Sequence, residues 1–464
     1  MKAVKIISII VAVLIVLVLT LVGAGIYFTN RYLQSPAFKE EVLKAAREQL
    51  GADVRIDSFQ VSIFSGVELR GVTIGNPAGF SGNLLTAEAF VLRYRLRPLL
   101  SRRIEIEQLS LDKPVITLSQ NDKNEWNYES IGAKGGATNP TPPEVKPTPV
   151  APNPAPAKSE RATPIDIILS KLAITQGAVS LVSDKDKAIV KVDGINFSSA
   201  VSLIDNKLAG TAKAGIDEIN LSDALFVEKV AASVTLGSDE VKLAPLSGKL
   251  ADGTLAGDVA VNFSDGLKYT VNLQVKDADV AKLLQEAKTK PVMSGKLVAT
   301  TTLAGTGGLP TIIGNGRAEI DGGQLMEIPI LNLLATLLQM DALHDLKFSE
   351  CVLEFSISNN VMQTPVIRLT SPQLQITGKG SVALANNTLN HDLMITFAKG
   401  ALGAIPKEIL GLFTEQADGS LALSFHVSGT FNSPKTDLTT RIAQGLFQQL
   451  IEKGAGKSLQ KLLK

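Results

Sequence analysis

The side chains able to do chemistry are few and poorly spaced for it. Three histidines, His344, His391 and His426, stand apart, no two of them at ligand spacing, and no HExxH segment occurs. His426 is the best placed for acid–base work. It falls on the polar side of a strand pattern with only Ser424 and Ser428 beside it, where a solvated ring is expected. The single cysteine, Cys351, excludes an intrachain disulfide or a CxxC site, and at the start of an apolar run it reads as packing rather than as a nucleophile. Asp53 and Asp57 flank Arg55 on one side of a short strand pattern, which suits surface pairing better than an acid/base couple. Gly305-Thr306-Gly307-Gly308 has the look of a phosphate loop, but no helix pattern follows and Pro310 intervenes, so it reads as a turn. Neither a GxSxG elbow nor a GxxxxGK[ST] loop is present. The residues point to no active site, no metal and no cofactor, and the expectation is a protein without catalysis.

Composition agrees. The chain has 464 residues, 45% of apolar type, a formal net charge of +1 and only 5% aromatics. That balance lacks the basic patch and stacking aromatics that a nucleic-acid partner would require. What the chain does have is material for sheets.

The elements follow in order. After Lys2 and Lys5, residues 6–30 carry no charge, and Ile6 to Phe28 is long enough as a helix, at about 1.5 Å per residue, to span a bilayer. Ile6, Ile10, Leu14, Val18, Val22 and Phe28 sample this membrane anchor. The two lysines place the amino terminus in the cytoplasm and the body on the far side. The competing reading is a cleaved signal peptide with Gly23-Ala24-Gly25 at the cut, but Ile26, Tyr27 and Phe28 carry the apolar run past it. Next comes a punctuated helix: Ser35 as cap, Pro36 in the first turn, a stripe of Phe38, Val42, Ala45 or Ala46 and Leu50, and Gly51 as stop. Short β runs begin at Val54. Residues 132–164, with nine of the chain's 21 prolines, read as a disordered linker.

Beyond the linker, period-two runs predict a long antiparallel meander of roughly fifteen strands with one dry face. Leu353, Phe355 and Ile357 alternate with polar residues, as do Leu393, Ile395 and Phe397, and Leu421, Leu423 and Phe425. These nine are expected on the dry side. Asp252-Gly253, Asp265-Gly266, Asp321-Gly322, Asn386-Asn387 and Asp418-Gly419 mark the turns. Helices are expected at Asp279–Ala287, Ile328–Met340 and Ala401–Phe413, and an amphipathic helix with Leu438, Ile442, Leu446, Leu450 and Ile451 ends the chain. A gapless comparison sets residues 104–118 against 167–181. Ile104/Ile167, Leu109/Leu172 and Leu118/Leu181 are identical and Pro114 meets Gly177, so one strand–turn–strand unit recurs across the linker. The organisation expected is therefore an anchor (1–31), a helix and β region (32–131), the linker (132–164), a β region (165–436) and a terminal helix (437–464).

Several segments resemble the AsmA family. They are the anchor and capped helix, Gly75-Asn76-Pro77-Ala78-Gly79-Phe80, residues 99–106, Leu111-Asp112-Lys113-Pro114-Val115-Ile116 and Glu125-Trp126-Asn127. Further on, Gly314-Asn315-Gly316, Asp321-Gly322-Gly323, Gly378-Lys379-Gly380-Ser381-Val382 and residues 427–434 continue the likeness. The resemblance implies a bacterial inner-membrane-anchored periplasmic protein, AsmA-like and TamB-related, acting in outer-membrane biogenesis. It further implies a mainly β fold, an elongated, twisted antiparallel groove with a few short helices, carrying phospholipid acyl chains. A non-catalytic assembly factor for outer-membrane proteins is the alternative, with those assembly proteins as partners. An unrecognised hydrolase would need a pocket gathering His426, His391 and carboxylates.

Overall fold

The structure, a computed structural model, describes residues 35–62, 66–98, 103–123, 125–129, 131, 166–183, 188–205, 207–307, 311–402, 410–430, 433–438 and 440–441. The expected anchor with Ile6, Ile10, Leu14, Val18, Val22 and Phe28, the linker 132–164 and most of the terminal helix lie outside these residues. Among the described residues no helix is long and apolar enough to cross a membrane. They are mainly β, with 21 strands and three short helices, and sixteen of the strands follow residue 165, close to the roughly fifteen expected there. The chain divides into two compact units, Met1–Ser222 with Ala231–Ser238, and Asp223–Val230 with Asp239–Lys464.

The amino-terminal unit opens with α1 (Pro36–Leu50), punctuated as the sequence predicts. The Ser35 hydroxyl accepts the Phe38 N–H at 3.2 Å, and Gly51 closes the helix with φ 65°, its N–H on the Arg47 carbonyl. The buried stripe is Phe38, Leu43, Ala46 and Leu50, so Leu43 takes a place the sequence reading gave to Val42, which packs at the margin. Replacing Ser35 by alanine is expected to cost about 1 kcal/mol, seen as a lower Tm.

The helix covers β1 (Val54–Ser62), β2 (Gly66–Gly75), β3 (Asn83–Arg95) and β4 (Arg103–Asp112), which pair antiparallel in that order. α1 also reaches the outer edge of β1. Arg47 donates to the Val54 carbonyl at 2.9 Å and Lys39 to the Asp57 carbonyl at 3.4 Å. Arg55 and Arg47 both pair with Asp53, at 3.1 and 3.3 Å, so this cluster is surface ion pairing.

After β5 (Val115–Ser119) comes β6 (Asp166–Val182), then β7 (Ala188–Ile204) and β8 (Lys207–Leu221). The expectation of purely antiparallel pairing fails here. β4 and β5 both run parallel to β6, because the chain re-enters the sheet after residues 120–165 instead of through a hairpin, and a long return allows parallel neighbours. The register explains the sequence comparison. Ile104 sits opposite Ile167, Leu109 opposite Leu172 and Leu118 opposite Leu181, the same pairs that the gapless comparison aligns. The likeness is that of strands lying side by side at equal depth on one sheet. Where the chain bends between β4 and β5 (Lys113, φ 45°), β6 bulges at Gln176 (φ 49°). Bonds from Lys113 N to Thr175 O and from Ala178 N to Pro114 O carry the pairing across the bend.

The segments Gly75-Asn76-Pro77 and Glu125-Trp126-Asn127 meet through one fully buried side chain. Asn127 donates from Nδ2 to Asn76 Oδ1 and to the Thr117 carbonyl, both at 2.8 Å, and its Oδ1 accepts the Ser119 N–H at 3.1 Å.

β9 (Leu225–Gly237) belongs in part to each unit. The carboxy-terminal unit is a meander of β10 (Glu240–Leu250), β11 (Gly253–Asn262), β12 (Lys268–Asp279), β13 (Met293–Thr306), β14 (Ile313–Met326), β15 (Asp345–Ser358), β16 (Val361–Thr370), β17 (Leu374–Ala383) and β18 (Thr388–Phe397), each antiparallel to the next. β18 then pairs with β20 (Leu421–Thr430), whose other side takes the short β19 (Thr414–Glu415) and β21 (Ser433–Thr436). Between β19 and β21 the outer backbone of β20 is held by side chains. Asp437 Oδ1 accepts the His426 N–H at 2.8 Å, and Arg441 donates to the Ser424 carbonyl at 2.6 Å.

Ala251 and Asp252 (φ 43° and 66°) turn β10 into β11, and Asn359 and Asn360 (φ 49° and 60°) turn β15 into β16. The left-handed backbone at both central positions is what a two-residue hairpin demands. Asp321-Gly322 is a correction. It lies inside β14 as a bulge opposite Gly295, where Gly322 takes φ 56° without a Cβ penalty while the strand continues on both sides. Thr306-Gly307 closes β13, with Gly307 at φ 80°.

Two helices interrupt the meander, α2 (Val280–Glu286), capped by Asp279, and α3 (Pro329–Leu338). α3 is almost wholly apolar because it is core. Leu331, Leu334, Ala335 and Leu338 are buried with Leu343, Phe397, Ile395 and Leu423. Of the helix expected over Ala401–Phe413, residues 403–409 lie outside the described residues and Ala401–Leu402 form a bend.

Candidate functional site

Antiparallel pairing without a slip keeps one side-chain parity on one face, so the register tells which residues share it. In the carboxy-terminal unit one row runs from β11 to β20. Leu255, Val275, Ala299, Ala318, Leu353, Ile367, Gly378, Leu393 and Phe425 are successive cross-strand partners. A second row, Leu243, Val259, Val271, Leu303, Gly314, Ile357 and Met362, flanks it. Between them runs Gly257, Leu273, Thr301, Gly316 and Phe355. The nine expected residues all fall on this side: Leu393 faces Phe425, Ile395 faces Leu423 and Phe397 faces Leu421. The other face is polar, for example Gln274, Thr300, Arg317 and Glu354 in sequence of pairing, with Arg317 on Glu354 at 2.7 Å and on Glu319 at 3.0 Å.

Burial divides the nine. Ile395, Phe397 and Leu423 are at 0% exposure beneath α3, and Phe425 is also buried. Leu353, Phe355, Ile357, Leu393 and Leu421 are only half-buried, like the rows of β11–β14 beside them. One end of the apolar face is therefore closed core, and Thr364, Val382, Leu389 and His391 on the same face are buried too, while the stretch from β11 to Phe355 and Ile357 on β15 keeps its apolar side chains half-buried. Glycines deepen that open stretch. The ring of Phe355 lies where a Cβ on Gly316 would be, and the tips of Leu303 and Leu393 do the same at Gly314 and Gly378. Residues on β11–β14 did not enter the sequence reading of the face. Their signal was the alternation Leu255, Gly257, Val259, Val261, which the glycine obscures.

The groups singled out for chemistry separate. His426 bonds through Nδ1 to Asp392 Oδ1 at 2.9 Å on the polar face, beside a cavity of about 580 Å³ lined by Lys379, Asp437 and Arg441. The serines flanking it in sequence are thus less important to it than a carboxylate on the next strand. His391 is on the opposite, apolar face, where its Nε2 meets Thr364 Oγ1 at 3.0 Å. His344 bonds Asn332 at 2.8 Å. Cys351 packs against the α3 core, and burial pushes its thiol above the ordinary range. Among the described residues no group of three or more His, Cys, Asp or Glu side chains is placed to hold a metal ion.

The family model for the AsmA family matches residues 1–240, just over half of the 464. The chain belongs to the AsmA family. The match ends two residues beyond Ser238, the last residue of the amino-terminal unit, so in this AsmA-family protein the family signature coincides with that unit. The paired segments around Asn76 and Asn127 lie inside it; those around Gly314, Gly378 and residues 427–434 lie beyond it. No curated protein and no solved structure matches the chain significantly.

Proposed function

We propose that this AsmA-family protein is anchored in the bacterial inner membrane by residues 6–28, amino terminus in the cytoplasm and body in the periplasm, and serves outer-membrane biogenesis by holding or passing phospholipid acyl chains along the apolar face of its carboxy-terminal unit. It works without catalysis. The observation that carries this reading is the half-buried state of the rows through Leu353 and Ile357, the first over eight strands from Leu255 to Leu393 and the second over seven from Leu243 to Met362. Family membership supports the role in envelope biogenesis. Physically, each methylene laid on such a face contributes about 0.8 kcal/mol, so ten methylenes contribute about 8 kcal/mol before ordering costs.

The alternative is a non-catalytic assembly factor for outer-membrane proteins whose face is covered by protein, and the closed core around Leu423 favours that view for one end. A photo-crosslinking residue placed in the full chain in cells decides. At Phe355 or Ile357 it is expected to capture phospholipid, and at Ser356, one residue away but on the polar face, it is not. Protein adducts at 355 and 357 in place of lipid would transfer the assignment to the assembly factor.

A further inference from the structure

One end of the amino-terminal unit is rich in arginine. Arg93 and Arg95 close β3, Arg97 follows them and Arg103 opens β4, so four of the chain's 13 arginines fall within eleven residues. All four are exposed. Arg95 pairs with Glu107 at 2.6 Å and with Glu105 at 3.6 Å, while Arg103 reaches the same Glu105 at 4.0 Å and stands opposite Asp166. Arg93 and Arg97 have no carboxylate or other side-chain partner among the described residues.

A cavity of about 820 Å³ is bounded by Gln60, Ser62, Glu68, Val91, Arg93 and Glu107. Gln60, Glu68 and Val91 are cross-strand partners, and Ser62 and Arg93 lie two residues further along their strands, so these side chains share the face turned away from α1. Both carboxylates in the wall are taken, Glu68 by Arg70 at 2.7 Å and Glu107 by Arg95. The guanidinium of Arg93 is the charge left over. It offers a planar fork of donors, the geometry that grips two oxygens of a phosphate.

The lie of α1 shows what this end faces. Phe38 packs edge-on against Phe59 at 6.2 Å, Lys39 reaches the Asp57 carbonyl and Arg47 the Val54 carbonyl, so the helix runs antiparallel to β1. Its first turn therefore points toward Ser62, which pairs with Gly66, and Gly66 lies against the backbone of Leu92 and Arg93. From Phe28 to Ser35 is seven residues, at most about 25 Å of chain. A bilayer holding residues 6–28 is thus within reach of the β3–β4 end, and its surface presents phosphates. We propose that Arg93 and Arg97 bind the phosphate of an anionic phospholipid in the leaflet from which the chain emerges, seating this end of the unit on the membrane. This rests on the anchor reading above. It concerns lipid of the bilayer itself and not acyl chains held on the carboxy-terminal unit.

The test uses the full chain in detergent micelles doped with equal amounts of phosphatidylglycerol and phosphatidylcholine of the same acyl chains, with bound lipid counted by native mass spectrometry. Wild type is expected to retain phosphatidylglycerol about tenfold over phosphatidylcholine, and Arg93→Ala with Arg97→Ala to bring the two level. Both side chains are exposed, so circular dichroism is expected to stay unchanged. Arg93→Lys with Arg97→Lys keeps the charge but loses the fork, and retains about a third of the preference. Arg317→Ala in the other unit leaves the preference as it is. A wild type without preference, or a double-alanine variant that keeps it, would overturn the proposal. So would loss of the wild-type preference in millimolar inorganic phosphate, which would assign the site to the free ion. Alkaline extraction of membranes carrying the full chain separates these failures from failure of the anchor. A chain that stays with the membrane and shows no preference overturns the headgroup site alone, whereas release to the supernatant overturns the anchor reading and the site with it.

Discussion

Replacing Leu423 by aspartate unfolds the carboxy-terminal unit, while replacing Phe355 by aspartate leaves it folded. Leu423 is at 0% exposure among Ile395, Phe397, Leu334 and Leu438, so the carboxylate of an aspartate there would lie in hydrocarbon. An unpaired buried charge, added to the lost packing, costs more than about 5 kcal/mol, comparable to the whole stability of a domain. Phe355 lies across the backbone of Gly316 and is half-buried, so water can reach an aspartate there and the cost is about 1–3 kcal/mol. Hydrogen exchange over β18 and β20 separates the two outcomes, since those amides lose protection only on unfolding. The contrast also fixes how lipid experiments are to be built. A variant at Leu423 that loses lipid reports a broken core, whereas one at Phe355 or Ile357 reports the open face.

Asn127→Leu is expected to lower the stability of the amino-terminal unit by about 3–5 kcal/mol, with a fall in its Tm of roughly 10 °C. The side chain is fully buried and serves three partners at once. Leucine fits the volume but strands the Thr117 carbonyl and the Ser119 N–H away from water, each costing about 1–3 kcal/mol. Asn76 is only half-buried and recovers some solvation. Asn121→Ala is the control: that side chain bonds Lys123 N and Glu125 N in an exposed turn, and its loss costs less than about 1 kcal/mol. The Tm of the two variants, followed by circular dichroism, checks the difference. The result would give a physical reason for the recurrence of asparagine in the two segments, as a clamp between the β2–β3 corner and the end of β5.

Local chemistry was legible where local chemistry decides. Ser35, Pro36 and Gly51 bound α1 as their types require, and the alternation through Leu353, Leu393 and Leu421 put all nine residues on one face, because parity in a strand is independent of what pairs with it. Legibility ended where distant segments choose one another. The parallel placement of β6 beside β4 and β5 depends on a return of the chain across residues 120–165, and nothing in either strand alone records direction. The likeness of residues 104–118 to 167–181 did record it, as a shared depth profile. Asp321-Gly322 carries the chemistry of a turn and is spent on a bulge, since Gly295 opposite it allows the strand to continue. Which part of the dry face is sealed was likewise not written in the alternation. It follows from where α3 lands.

The outermost strands have a consequence for how this molecule meets others. At β1 the carbonyls of Val54 and Asp57 are taken by Arg47 and Lys39, and at β20 the amide of His426 and carbonyl of Ser424 are taken by Asp437 and Arg441. A foreign strand arriving at these positions would have to evict charged side chains before it could pair there. Recruitment by template growth, the route by which exposed sheets polymerise, is thus hindered at these positions. Associations there must be written in side chains, with the selectivity and the salt sensitivity that such contacts carry.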